Sequence, residues 1–413
     1  MHILLISEYW SPVEHGGGER SARDIAVGLA AQGNRITVLT SAGRGLLSEE
    51  TLHGVRVLRR CTTGAPTTLY GNIKRYLLFK RSALREARRL CGSDRIDVIH
   101  LMNTTTLPLA PALRQLGPIV TAHINSPIPF CPKGDRVRYG RQCDIVCTWN
   151  AFVPCIRASQ SVGKMRNGAL VRHNPLLWLS LYRRYRAYRH ALAAPVHWAA
   201  IGSGLAALLE QHGVPSSRVT LLPNPVSTAA LESISLPTGH RPLRVGFIGT
   251  FSDFKGLPQL VDACRGLKVE LHVAGEGPLA TWLDGIKDVT VVNHGRVAES
   301  SLASFYAKVD IVAIPSIWPE GFGRVVVEAM AAGRPVIVTD NGGLRDVVAG
   351  CTGATLVPVG DVAALHSALE RYARSPSRCR VDGAACRQHV ARTYTQPLLA
   401  RKLASMLRQA AAS

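Results

Sequence analysis

The chain has 413 residues, is 46% hydrophobic and 19% charged, and carries a formal net charge of +21. That composition excludes an intrinsically disordered chain, and the length suits two domains of roughly 200 residues each better than one core. No stretch of about 18 consecutive apolar residues is present, which excludes a membrane-spanning helix.

The apolar start, residues 1–7, lacks the basic region and the length of a signal peptide. It reads as a first strand, and a cytoplasmic chain is expected. A helix follows over 20–32, with Ile25 and Leu29 on one face and Gly33 as its stop. Strands are expected at 35–40 and 55–58, a basic helix at 73–90, and strands at 98–102 and 119–122. The second half repeats the alternation: strands at 245–248, 269–274, 289–292, 311–314 and 336–339, with helices at 258–267, 279–284, 301–309 and 324–332. Unbroken apolar runs suit strands buried on both faces. The fold class is therefore α/β, with two Rossmann-like, doubly wound parallel-sheet domains. A linker over 231–241 divides residues 1–230 from 231–385, and 386–413 reads as a terminal helical segment packing back on the first domain. Doubly wound sheets bind ligands beyond the carboxyl ends of their strands, so chemistry is expected just after them.

The positive charge is uneven. Residues 1–230 hold 29 Lys and Arg against 12 Asp and Glu, an excess of 17, and the remainder has an excess of only 4. Such a field attracts anionic lipid, nucleic acid or acidic glycans, or is a solvated Arg-rich surface. Residues 178–192 add Trp178, Leu181, Tyr185 and Leu192 among Arg183, Arg184, Arg186 and Arg189. That pattern fits either an amphipathic helix on an anionic membrane or a helix packed on the first domain. No helix-turn-helix, zinc-finger or aromatic RNA-binding motif accompanies the charge.

The most informative segment is Pro315-Ser-Ile-Trp-Pro-Glu320-Gly-Phe-Gly-Arg-Val-Val-Val-Glu328. It follows a buried strand, crosses a Gly-rich turn and enters a helix near Gly323. Backbone N–H groups around Phe322, Gly323 and Arg324 then lie at a helix start, where an anion or sugar hydroxyls can bind. Glu320 precedes the helix and Glu328 lies within it, so the two carboxylates can grip two hydroxyl-bearing parts of one ligand.

This Glu-x7-Glu segment resembles the signature of the retaining GT-B glycosyltransferases of family 4. Other pieces resemble the same family in order: Gly16-Gly17-Gly18 after the first strand, Gly249-Thr250 through Lys255-Gly256, the Ala274-Gly275-Glu-Gly277 turn, and Gly342-Gly343. The resemblance runs from residue 1 to about 375. It implies transfer of a sugar from a nucleotide-sugar donor, and the basic first half suggests a glycan or lipid-linked, anionic acceptor, as in surface polysaccharide assembly. It further implies donor contacts from Gly16, Gly17, Gly18, Thr250, Lys255, Gly321, Phe322, Gly323, Arg324 and Glu328, with Glu328 on the ribose. His123, Lys255 and Glu320 become the residues at the reacting sugar. Many family members carry Arg where this chain has Thr250, so Arg324 or another basic group is a candidate replacement. Transfer needs no cofactor, since no Asp-x-Asp metal motif is present. A sugar-nucleotide epimerase is the alternative within enzymes, and a basic nucleic-acid-binding protein the alternative outside them.

Four cysteines, Cys131, Cys143, Cys147 and Cys155, fall within a 25-residue span that follows His123. They offer a structural zinc site, though without a Cys-x2-Cys pair, or a set of free or redox-active thiols.

Overall fold

The protein was analysed as a computed structural model, which describes all residues except 14–16, 65–70, 72–74, 140, 160–161, 163–167 and 413. The chain forms two compact units, Met1–Leu222 together with Ala400–Ser413, and Pro223–Leu399. The first unit is built on an eight-stranded sheet. Its spatial order is Val219–Leu221, His197–Ala200, Ile119–Ile124, Val98–Leu101, His2–Ile6, Arg35–Ser41, Val55–Cys61 and Glu49–Leu52. All neighbours run parallel except the last pair. The second unit carries six parallel strands in the order Thr290–Asn293, Val269–Ala274, Leu243–Ile248, Ile311–Ile314, Val336–Thr339 and Ala354–Val357.

The helices form where the sequence places one apolar stripe. Gly17–Ala30 buries Ala22, Ile25, Ala26 and Leu29, a spacing of three and four that keeps them on one face. Around residue 73 the outcome differs from one regular helix. A π-type turn at Arg75–Phe79 feeds the α-helix Lys80–Ser93, and the expected start lies outside the described residues. Strands Ile311–Ile314 and Val336–Thr339 are buried at every position, as central strands covered on both faces should be.

Residues 231–241, expected as the linker, lie within the second unit and are held rather than loose. The buried Asp310 carboxylate accepts from the amides of His240 (3.1 Å) and Arg244 (3.0 Å) and from His240 Nδ1 (2.8 Å). Arg334 donates to the Ser235 carbonyl at 2.8 Å. At the far end the helix Arg378–Thr393 stays with the second unit, and the return to the first begins at Ala400. There Leu403, Ala404, Met406 and Leu407 join the core around Ile3, Leu5, Ile25 and Val38.

Candidate active site

In the second sheet the strand order reverses between Leu243–Ile248 and Ile311–Ile314. Segments leaving those two strands diverge and open a crevice at their carboxyl ends. The loop after the first of them carries Thr250 and Lys255, and the loop after the second carries Glu320 through Arg324. Lys255 Nζ donates to Glu320 Oε1, and the same oxygen accepts from Ser316 Oγ at 2.8 Å. Glycine makes this meeting sterically feasible. Gly256 has φ +71°, and a Cβ there would stand 1.9 Å from the Pro315 carbonyl oxygen, far inside contact distance. On the other side the Gly343 amide donates to the Glu320 carbonyl at 2.7 Å. A Cβ at Gly343 would stand 2.4 Å from the Gly321 carbonyl oxygen. Glu320 is thus pinned through backbone and side chain.

Glu328 is held differently. It lies within the helix Arg324–Ala331 and is 3% exposed. Its Oε1 accepts from Arg324 Nε at 3.0 Å and its Oε2 from Tyr306 OH at 3.4 Å. Arg324, a candidate free cation for phosphate, is therefore committed to Glu328 and also donates to the Pro225 carbonyl at 3.4 Å. The helix start at Gly323 carries no side-chain cap, and helix starts are where anions are bound. Phe322 contributes backbone to this turn while its ring is buried edge-on against Tyr394, 5.7 Å between centroids. Thr250 is exposed. Ser316 and Tyr306, which complete the two carboxylate clamps, were not singled out by the sequence. Ser316 sits inside the motif and was legible there; Tyr306 lies on a preceding helix and left no signal.

In the first unit the strand order reverses at His2–Ile6 and Val98–Leu101. Gly17 and Gly18 open the helix that follows the first of these, and Gly16 lies outside the described residues. His123 falls within the strand Ile119–Ile124, two residues longer than expected, and is fully buried. Neither ring nitrogen has a partner among the described residues. His100 meets it edge-on at 5.9 Å and bonds Thr121 Oγ1 at 2.8 Å. Burial lowers the pKa of His123 to about 4 and, with the neighbouring ring, that of His100 to about 3. Both rings are neutral at pH 7.

A second group missed by sequence reasoning stands at the end of the first strand. Glu8 is 1% exposed and receives Arg75 through Nε (2.8 Å) and Nη2 (2.7 Å), with Thr63 Oγ1 at 2.7 Å. Burial pushes this carboxyl up, but hydrogen bonds from Arg75, Thr105 and Thr63 outweigh it and hold the pKa below its usual value.

The basic helix at 178–192 is part of Pro175–Ala193. Trp178, expected as a group for membrane insertion, is instead buried with Phe152 and Ile156 and donates Nε1–H to the Val171 carbonyl at 2.8 Å. Arg184 is engaged with Tyr76 and the Pro132 carbonyl. Arg183, Arg186 and Arg189 are exposed, together with Leu176 and Leu179. No helix among the described residues is long and apolar enough to cross a membrane.

Cys131, Cys143, Cys147 and Cys155 line one small cavity. Three of the thiols nevertheless point to separate partners: Cys131 to Asp135 (3.8 Å), Cys147 to the Thr148 carbonyl (3.6 Å) and Cys155 to the Val137 carbonyl (3.9 Å). Among the described residues no three His, Cys, Asp or Glu side chains are set to hold a metal ion. As placed, the four thiols do not fit the zinc site that their spacing suggested.

Two family models match the chain, Glycosyltransferase Family 4 over residues 15–230 and Glycosyl transferases group 1 over residues 242–375. The chain belongs to glycosyltransferase family 4. This glycosyltransferase is 34% identical to the phosphatidyl-myo-inositol mannosyltransferase of Mycobacterium leprae over 37% of its own length and 44% of that relative's. The match thus spans less than half of the mannosyltransferase. Among solved structures it resembles the sucrose-phosphate synthase of Thermosynechococcus elongatus, with a TM-score of 0.73, 21% identity and 100% of both chains covered. It also resembles Anabaena HepE in complex with UDP, with a TM-score of 0.67, 17% identity, and 99% and 100% of the two chains covered. These likenesses establish the GT-B fold.

Proposed function

We propose that this glycosyltransferase takes a sugar from a nucleotide-sugar donor held at the second unit's strand ends, and transfers it with retention to a glycan or lipid-linked acceptor. The carrying observation is the pair of glutamates at the strand-order reversal, each already fixed by a cation and a hydroxyl. A carboxylate fixed in this way keeps lone pairs for a ligand's hydroxyls and loses little freedom on binding. Glu328 is assigned to the ribose and Glu320 to the transferred sugar. Lys255 and the uncapped helix start at Gly323 offset the diphosphate charge that grows as the leaving group departs. The acceptor hydroxyl oxygen bonds to the anomeric carbon as the carbon–oxygen bond to the diphosphate breaks, and the hydroxyl proton passes to the departing diphosphate. His123 and the Gly17–Gly18 turn are assigned to ligand binding on the first unit. A bound nucleotide supports this reading in one likeness, HepE with UDP.

A thermal-shift screen with UDP, GDP, ADP and their common sugars tests it. One nucleotide series is expected to stabilise the protein by about 2.7 kcal/mol at a hundredfold excess over Kd. No stabilisation by any of them, with no transfer from any donor, would refute the assignment.

The basic first unit supports an acceptor at an anionic surface of the membrane's inner face. We expect co-sedimentation with vesicles containing anionic lipid, released by salt because exposed charges are screened over about 8–10 Å. Replacing Arg183, Arg186 and Arg189 by Gln should weaken that binding by about 1 kcal/mol per residue and leave nucleotide binding unchanged. Equal recovery with neutral vesicles would reduce the charge to a solvated surface.

A further inference from the structure

Cys351 and Cys386 stand apart from both the glutamate clamps and the four-cysteine cavity. Cys351 follows the helix Gly343–Val348, and Cys386 lies in the helix Arg378–Thr393. Their sulfurs are 3.8 Å apart across 35 residues of chain. Close backbone packing sets this meeting. A Cβ at Gly353 would stand 1.9 Å from the Asp382 carbonyl oxygen and 3.0 Å from Cys386 Sγ, so the turn after Cys351 lies directly on the second helix. The two thiols are unequal. Cys351 is partly exposed and Cys386 is buried.

We propose that Cys351 and Cys386 form a peroxide-sensitive dithiol, with Cys351 as the attacking thiolate and Cys386 as the resolving thiol, closing to a reversible disulfide. Their environments divide those roles. The hydrogen bond shared with Cys386, against the cost of burial and with help from the Gly353 and Ala354 amides, lowers the Cys351 pKa to about 7. The Cys386 thiol, sharing its proton with Cys351 and buried, is pushed well above the usual range. An accessible low-pKa thiolate beside a buried thiol is the arrangement that reacts in sequence. The Cys351 thiolate attacks one peroxide oxygen, the O–O bond breaks, and hydroxide leaves to be protonated to water. The Cys351 sulfenic acid is then attacked by the Cys386 sulfur. Its S–O bond breaks, the S–S bond forms, and a second water carries off the thiol proton. Two thiols and one hydrogen peroxide give one disulfide and two waters.

The bridge would join two elements that support the glutamates. The helix Gly343–Val348 begins with the amide that holds the Glu320 carbonyl. The helix Arg378–Thr393 packs at Gly383 onto Gly333, just beyond the helix carrying Glu328. Oxidation would fasten these elements together.

The full-length protein, reduced and freed of reductant, is treated with one equivalent of hydrogen peroxide, alkylated and digested with trypsin without reduction. A cross-link between the peptides 346–371 and 381–387, two mass units below their sum and lost on adding dithiothreitol, is expected. Cys386→Ser should leave Cys351 as a sulfenic acid trapped by dimedone. Cys351→Ser should leave Cys386 reduced at the same dose. Before oxidation, Cys351 should alkylate at pH 7 about tenfold faster than Cys91, reflecting its larger thiolate fraction. Absence of the cross-link in the wild-type protein, or alkylation of Cys351 no faster than Cys91, would overturn the proposal without touching the assignment of the donor site.

Discussion

Glu328→Ala is expected to raise the donor KM by roughly ten- to a hundredfold, while Glu320→Ala is expected to lower kcat by about a hundredfold or more. The asymmetry follows from how each carboxylate is held. Glu328 is almost fully buried, with one oxygen on Arg324 and the other on Tyr306. Its assigned ribose contact is made equally before and during transfer, and such uniform binding moves KM. A hydrogen bond to a charged group is worth about 1.5–3 kcal/mol, which converts to the stated range. Glu328→Gln keeps the shape but gives up the charge that holds Arg324, so an intermediate KM is expected. Glu320 is assigned to the transferred sugar and also receives Lys255. Its removal unseats the cation needed when charge develops on the diphosphate, and losses of that kind are typically a hundred- to a thousandfold in kcat. Since Lys255 and Glu320 act as a unit, the double variant should be little worse than the more damaging single one. Steady-state kinetics with the identified donor decides the matter. Wild-type constants in both single variants would remove the glutamates from the site.

Arg75→Ala should be strongly destabilising to the first unit. It would strip the bidentate partner from Glu8, which is buried and ionised. Breaking a buried ion pair from one side costs about 3–5 kcal/mol because the remaining charge stays uncompensated. Replacing both partners by apolar residues should cost less than Arg75→Ala alone. The pH dependence has a definite sign. The folded pKa of Glu8 is depressed relative to the unfolded chain, so its contribution is present in full above the unfolded value. It is lost as pH falls through the folded value. Denaturant titrations from pH 7 to pH 3 should show the wild type losing stability toward acid, with a shallower loss in Glu8→Gln. Parallel acid profiles would show that Glu8 is not ionised in the folded protein.

Much of this architecture was legible in the residues because it rests on local pattern. Buried parallel strands announce themselves as short apolar runs, and 311–314 and 336–339 lie where those runs lie. The two glutamates were legible for a related reason, since a strand, a glycine turn and a helix occur in one continuous segment. What escaped was brought together from afar. Glu8 and Arg75 are 67 residues apart, and the buried Asp310 fixes His240 70 residues before it; neither pair carries a periodicity or a motif. Tyr306 reads as an ordinary core aromatic until its hydroxyl is found on Glu328. Trp178 shows the opposite failure. Its helix is basic and carries aromatics, which fits a membrane surface as well as a packed helix. Only tertiary contact with Phe152 and Ile156 distinguishes them.

The return of the chain to its starting unit has a consequence for how the protein is made. Leu403, Ala404, Met406 and Leu407 complete a core whose other members lie before residue 223. A domain emerging from the ribosome generally folds as a unit, at about 5–20 residues per second of synthesis. Here the first-made sheet must wait while the whole second unit, 223–399, is synthesised. For that interval of roughly ten to forty seconds, the face around Ile3, Ile25 and Val38 lacks its final cover. The part of the protein born first is the part finished last.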